Sequence, residues 1–169
     1  MEFERIGVDE VWSGRIADVR VERWRLDGEE VEREVVGHPG AVGVVAHDGQ
    51  QLYLVRQPRE PVGEPSLLEL PAGKLDEEGE EVLDTAKREL AEEIGKGARS
   101  WKHLTTFWSS PGFSDEEIHV YLATDLYDEH AEADEHGAAA LDEALARELA
   151  LVQKTGHDLP PFAITFAAC

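Results

Sequence analysis

The chain has 169 residues, with 37 Asp and Glu against 16 Lys and Arg and a formal net charge of −21. That length fits one domain able to bury a core without staples, and a content of 41% hydrophobic and 31% charged residues reads as a globular protein, not a disordered tail. So acidic a chain excludes nucleic acid as a partner and disfavours an anionic membrane surface, since both need clustered Lys and Arg. The single cysteine is Cys169, so neither a disulfide framework nor a cysteine-based zinc site can form within one chain, which fits a reducing cytoplasm. Met1 to Arg5 lack the basic-then-apolar order of a signal peptide, and no uncharged apolar run reaches the roughly 18 residues of a membrane span. The expectation is a cytoplasmic protein.

Residues 10–36 predict short strands, with a hairpin turn at Leu26-Asp27-Gly28-Glu29. His38-Pro39-Gly40 breaks the chain, and Ala41 to Ala46 is a continuous apolar run, as in a buried strand. His47-Asp48-Gly49 reads as a turn and Gln51 to Arg56 as the next strand. Pro58, Pro61, Gly63 and Pro65 predict a loop to about residue 66, followed by a short strand Leu67 to Leu70 that ends at Pro71-Ala72-Gly73. The clearest helix is 80–94, where Val82, Leu83, Ala86, Leu90 and Ile94 recur at helical spacing and Gly95 provides the stop. Residues 101–108 and 117–123 predict two further strands, 124–136 an acidic loop, and 137–153 a helix rich in Ala and Leu, with no further β-rich run. His157 to Pro161 ends that helix, and an apolar tail follows. The seven histidines show no paired metal spacing, and the four tryptophans read as packing, with Trp12 and Trp24 available to a dimer interface.

Residues 76–93 hold nine acids against two bases, Lys87 and Arg88. Glu89, Glu92 and Glu93 fall at i, i+3 and i+4, so one helix face carries all three carboxylates, while the apolar residues occupy the other. Spacing alone describes an ordinary acidic helix face directed away from the core. In a cleft, three such charges would instead invite a hard divalent cation, which takes oxygen ligands and shares its shell with waters and phosphates.

The surrounding order decides between these. Gly73, Glu80, Arg88-Glu89, Leu90, Glu92-Glu93 and Gly95 resemble the Nudix box, which reads Gly-x5-Glu-x7-Arg-Glu-U-x-Glu-Glu-x-Gly-U, with U a bulky apolar residue. Six residues instead of five separate Gly73 from Glu80, and Lys96 stands where the last apolar residue belongs. The resemblance extends to the ADP-ribose pyrophosphatase branch through Arg33-Glu34-Val35-Val36, His38-Pro39-Gly40-Ala41-Val42, Val55-Arg56-Gln57-Pro58-Arg59, Leu68-Glu69-Leu70-Pro71-Ala72-Gly73 and Ser110-Pro111-Gly112-Phe113-Ser114-Asp115-Glu116. Pro111 lies sixteen residues past Gly95, a marker of that branch, and the likeness covers about residues 10–125.

The resemblance implies a Nudix α/β/α sandwich with a mixed sheet (39–169), preceded by a small antiparallel N-terminal sheet (1–38) through which similar enzymes pair as homodimers. It implies Mg²⁺, with Mn²⁺ as a substitute, bound by Glu89, Glu92, Glu93 and the Ala72 carbonyl. Two or three such ions would neutralise a diphosphate and the charge developing on phosphorus. Gly73, Glu80, Arg88 and Gly95 have structural roles in the box; Glu80 and Arg88 form a brace by a salt bridge, with direct ligation of the metal the lesser alternative. Arg33 and Arg59 correspond to substrate arginines, joined by Arg56, and Glu116 to a glutamate that holds the substrate or a metal. The catalytic base would come from the loop after the strand that follows Glu116: Glu135, with Glu132 the runner-up, taking a proton from the attacking water. The implied reaction is hydrolysis of ADP-ribose to AMP and ribose 5-phosphate. The alternatives are another nucleoside diphosphate derivative as substrate, a sugar nucleotide or a dinucleotide, and a non-catalytic nucleotide-binding module of the same fold.

Overall fold

A computed structural model describes residues 2–129. Glu132, Glu135, the expected helix 137–153 and the apolar tail lie outside the described residues.

Three antiparallel strands come first: β1 (Phe3–Ser13), β2 (Asp18–Leu26) and β3 (Glu29–Gly37). The β2–β3 turn is two residues, Asp27 and Gly28, both at positive φ (47° and 95°), as the right-handed twist of a tight hairpin demands. After the break at 38–40 comes β4 (Ala41–His47), then β5 (Leu52–Tyr53) and β6 (Val55–Arg59). One 3₁₀ turn leads into β7 (Glu64–Glu69), so the proline-rich stretch expected to be loop contributes half a hairpin, β6 against β7. Pro58 is tolerated there because it falls at a register shift between Gln57 and Arg59.

β8 (Ala72–Lys74), α1 (Val82–Ile94), β9 (Lys96–Trp108) and β10 (Glu117–Asp128) complete the described chain. The second sheet runs β5-β4-β10-β9, with β8 paired to β4. β4 and β10 are parallel and every other pair is antiparallel, which is the mixed sheet the resemblance implies. One face gathers Val42, Val44, Ala46 and Ala123 against Ala86 and Leu90 of α1, all fully buried. The opposite face gathers Ala41, Ile118 and Val120 with Phe107 and Val45. Burying Leu90 in such a core is worth about 2–3 kcal/mol.

The acidic segment 124–128, expected to open a loop, is instead the end of β10. Leu126 packs on the core, and Lys96 pairs with Asp128 at the sheet end. Similarly, β9 starts at Lys96, directly after the helix, and not at residue 101. Among the described residues no helix is long and apolar enough to cross a membrane.

Candidate active site

The helix that carries the box starts at Val82, with Glu81 as its N-terminal cap residue in extended conformation. It ends where Gly95 turns left-handed (φ 64°) and its N–H returns to the Ala91 carbonyl. The residue inserted between Gly73 and Glu80 is absorbed before the helix, in a turn where Glu80 N–H donates to the Glu77 carbonyl and Gly79 takes φ 81°. The helix register is thereby preserved. Lys96, the other departure, sits over the Tyr53 ring and pairs with Asp128, which accounts for a cation at an apolar position.

The acidic face does not point away from the protein. Glu93 reaches back to the β7–β8 connection, where Oε2 accepts from the Ala72 N–H (2.8 Å) and Oε1 from the Gln57 side-chain amide (2.8 Å). Glu89 lies against Gly73, its side chain 14% exposed. A Cβ at Gly73 would fall inside the Glu89 carboxylate, so only glycine leaves that seat. Glu92 remains at the rim. Arg88 fans out between the acids: Nε meets Glu80 Oε1 at 3.1 Å, and Nη1 meets Glu89 Oε1 at 2.8 Å and Glu92 Oε2 at 3.1 Å. Thr85 adds a hydroxyl donor to Glu80 (2.9 Å), fixing the brace from a second side.

These placements have electrostatic consequences. Burial pushes the Glu93 carboxyl up to about 7, against the downward pull of the Ala72 N–H and the Gln57 amide, and nearby Glu89 adds to the rise. Burial also raises Glu89, with Arg88 opposing. Glu80 is lowered, chiefly by Arg88. Two desolvated carboxylates side by side, with hard oxygen donors and a glycine cradle, suit a divalent cation. Among the described residues no group of three or more acids is arranged as a metal cage. Arg88 engages Glu89 and Glu92, while Gln57 and Ala72 engage Glu93.

The substrate candidates are spread around this centre. Arg59 forks onto Glu69, with Nε–Oε1 at 2.9 Å and Nη2–Oε2 at 2.7 Å, and Glu69 is 2% exposed. Glu116 starts the approach to β10, its Oε1 3.6 Å from Nδ1 of His38. Arg56 donates to the Ser66 carbonyl across the β6–β7 hairpin. Arg33 lies apart, on β3, turned onto the Glu32 carbonyl at 2.7 Å. His38, Gln57 and Glu69 stand in stretches that carry the resemblance without a role assigned to them there, and Thr85 is a site residue that only the structure brings out. Glu69 also stands out locally, as a charge inside the apolar run Leu67-Leu68-Glu69-Leu70.

The comparisons with known proteins follow the same lines. A NUDIX domain model matches residues 37–159. The ADP-ribose pyrophosphatase of Bacillus subtilis is 44% identical over 139 residues, covering 80% of this chain and 74% of that protein. The ADP-ribose pyrophosphatase of Mycobacterium tuberculosis is 43% identical over 141 residues, covering 79% and 68%. Among solved structures, an ADP compounds hydrolase superposes with a TM-score of 0.68 at 27% identity, covering 80% of this chain and 74% of that one.

Proposed function

This chain belongs to the Nudix family of hydrolases, and from that premise we propose that it hydrolyses ADP-ribose to AMP and ribose 5-phosphate with Mg²⁺, Mn²⁺ serving as a substitute. The observation that carries the reading is the Glu89–Gly73 and Glu93–Ala72 packing, which seats two desolvated carboxylates beside β8, the strand in which the box begins. Glu89, Glu92, Glu93 and the Ala72 carbonyl would hold the divalent cation, which neutralises the diphosphate and the charge that builds on phosphorus. Glu80 and Arg88 brace the box, and Gly95 ends its helix.

The reaction adds the oxygen of water to one phosphorus and breaks the bridging P–O bond of the diphosphate. The water's proton passes to Glu135, or to Glu132 as the alternative base, both beyond the described residues. Arg33, Arg59, Arg56 and Glu116 hold the substrate. Arg59 is suited to this because Glu69 fixes the plane of its guanidinium before any phosphate arrives. The three-stranded N-terminal sheet serves as the pairing surface of a homodimer in the cytoplasm. Phe3, Val8, Val11 and Trp12 on β1 are all exposed in the single chain, which supports that pairing.

A substrate panel tests the proposal: ADP-ribose, a nucleotide sugar with another base, and a dinucleotide, each with Mg²⁺. ADP-ribose should have the highest kcat/KM by at least about tenfold, or ~1.4 kcal/mol of transition-state preference. Preference for another member of the panel would keep the family chemistry and overturn the substrate.

A further inference from the structure

The loop from Ser109 to Glu116 joins β9 to β10 and delivers Glu116. Its tip, Pro111-Gly112-Phe113, is exposed, so it has no apolar anchor of its own. Polar links to the N-terminal sheet hold it instead. Val36 N–H donates to the Phe113 carbonyl (2.8 Å), and Asp115 N–H to the Val36 carbonyl (3.3 Å). The Asp115 carboxylate receives the His38 N–H at Oδ1 (2.9 Å) and Arg20 Nη2 at Oδ2.

Arg20 is itself aimed by two further carboxylates. Its Nε donates to Glu22 (2.8 Å) and its Nη1 to Asp18 (3.1 Å). Glu22 is 4% exposed and also accepts from Arg5 and from the Trp24 indole, each at 3.0 Å. The absence of a side chain at Gly37 is part of the same arrangement, because a Cβ there would collide with Arg20 and Asp18. One connected network therefore runs from β1 and β2 to the residue immediately before Glu116, and it crosses between the two sheets. Holding one guanidinium on three carboxylates costs side-chain freedom, and removing it leaves the buried Glu22 carboxylate with only Arg5 and the Trp24 indole as partners.

We propose that Arg20 and Asp115 are positioning residues that act through Glu116: the N-terminal sheet sets the geometry of the substrate site by clamping this loop. The inference rests on the role of Glu116 in the proposed hydrolysis. It gives the N-terminal sheet a positioning role in the site beside the binding role of Arg33 and the pairing role.

A double-mutant cycle with a structural readout tests it. In the wild-type background, Glu116→Gln should lower kcat/KM for ADP-ribose by roughly tenfold or more. In the Asp115→Asn or Arg20→Met background the same substitution should cost less than about threefold, because the carboxylate is already misplaced. Arg20→Met and Asp115→Asn should each match the Arg20→Met/Asp115→Asn double variant in activity, since both break one link. Asp115 is half-exposed, so Asp115→Asn keeps the protein folded even if Arg20→Met does not. Amide hydrogen exchange of the 109–116 segment should quicken in both variants, while that of α1 stays as in the wild type. Additive losses, or unchanged exchange in 109–116, would overturn the clamp. Inactivity of the wild type on ADP-ribose would count against the proposed substrate; the exchange arm would still decide the clamp, and the cycle would run on whichever panel substrate is turned over.

Discussion

Gly73→Ala isolates the seat of one carboxylate without touching a charge. The backbone at Gly73 is not left-handed, so alanine meets no conformational penalty there. The new Cβ would stand 2.5 Å from Glu89 Cγ, where ordinary contact begins at 3.4 Å, and it would overlap the carboxylate itself. Glu89 has to retreat by about 1 Å or more, and its flexible side chain can do so cheaply in stability. Coordination cannot follow, because Mg²⁺ holds its oxygens at about 2.0–2.1 Å in near-ideal octahedral geometry. A misplacement of about 1 Å in a catalytic constellation is worth roughly 10²-fold in rate. The expected result is a loss of about 10- to 100-fold in Mn²⁺ affinity by isothermal titration, a similar or larger loss in kcat, and a metal-free melting temperature at or slightly above wild type. Wild-type Mn²⁺ affinity in Gly73→Ala would refute the placement of Glu89 as a ligand.

Three other outcomes are expected. Burial holds the folded carboxyl of Glu93 near 7 against an ordinary 4.5, so its effect on the metal-free protein is most favourable below 4.5 and is lost as pH rises through 7. At pH 8 Glu93→Gln should therefore stabilise the metal-free protein by roughly 1–3 kcal/mol in urea unfolding while abolishing activity, and the gain should vanish below pH 4.5; a gain of equal size at both pH values would contradict it. Arg59→Ala strands the carboxylate of Glu69 in the core and should cost about 3–5 kcal/mol in the same assay, with Glu69→Gln recovering part of the loss in the double variant; a loss under about 1 kcal/mol would contradict the buried pair. Sedimentation should give twice the 18.8 kDa chain mass, and Trp12→Ser with Val11→Ser should return it to the single-chain value; a wild-type monomer would contradict the pairing surface.

What could be read from the residues, and what could not, divides by range. The Asp27-Gly28 hairpin, the apolar strand at 41–46 and the helix stop at Gly95 each depend on neighbours in sequence, and each lies where local chemistry puts it. The end of β10 is hidden by composition: residues 124–128 offer only Leu126 and Tyr127 as apolar residues, and what makes them strand is pairing with residues 96–100 of β9. The proline-rich stretch conceals only the inner ends of β6 and β7, residues 57–59 and 64–66, because Pro58, Pro65 and the intervening 3₁₀ turn read as loop when the register shift is unseen. In the site, the box glutamates are legible from their place in the motif that resembles the family's, since spacing alone describes an ordinary acidic face, and their direction is not legible at all. Whether a helical acid face meets water or strand is set by Gln57 and Ala72, 36 and 21 residues away from Glu93. The Arg59–Glu69 fork needs only the β6–β7 hairpin to close, over 10 residues, whereas the Arg20–Asp115 clamp spans 95 and is a product of the whole fold.

The most direct measurement of the central claim is the quantified release of AMP and ribose 5-phosphate from ADP-ribose by the full chain, with Mg²⁺ and with chelator, for wild type and Glu93→Gln. The account predicts equimolar products with Mg²⁺, none with chelator, and a rate at least about 10²-fold lower in Glu93→Gln. Turnover that survives both chelation and the loss of the Glu93 carboxylate would contradict it.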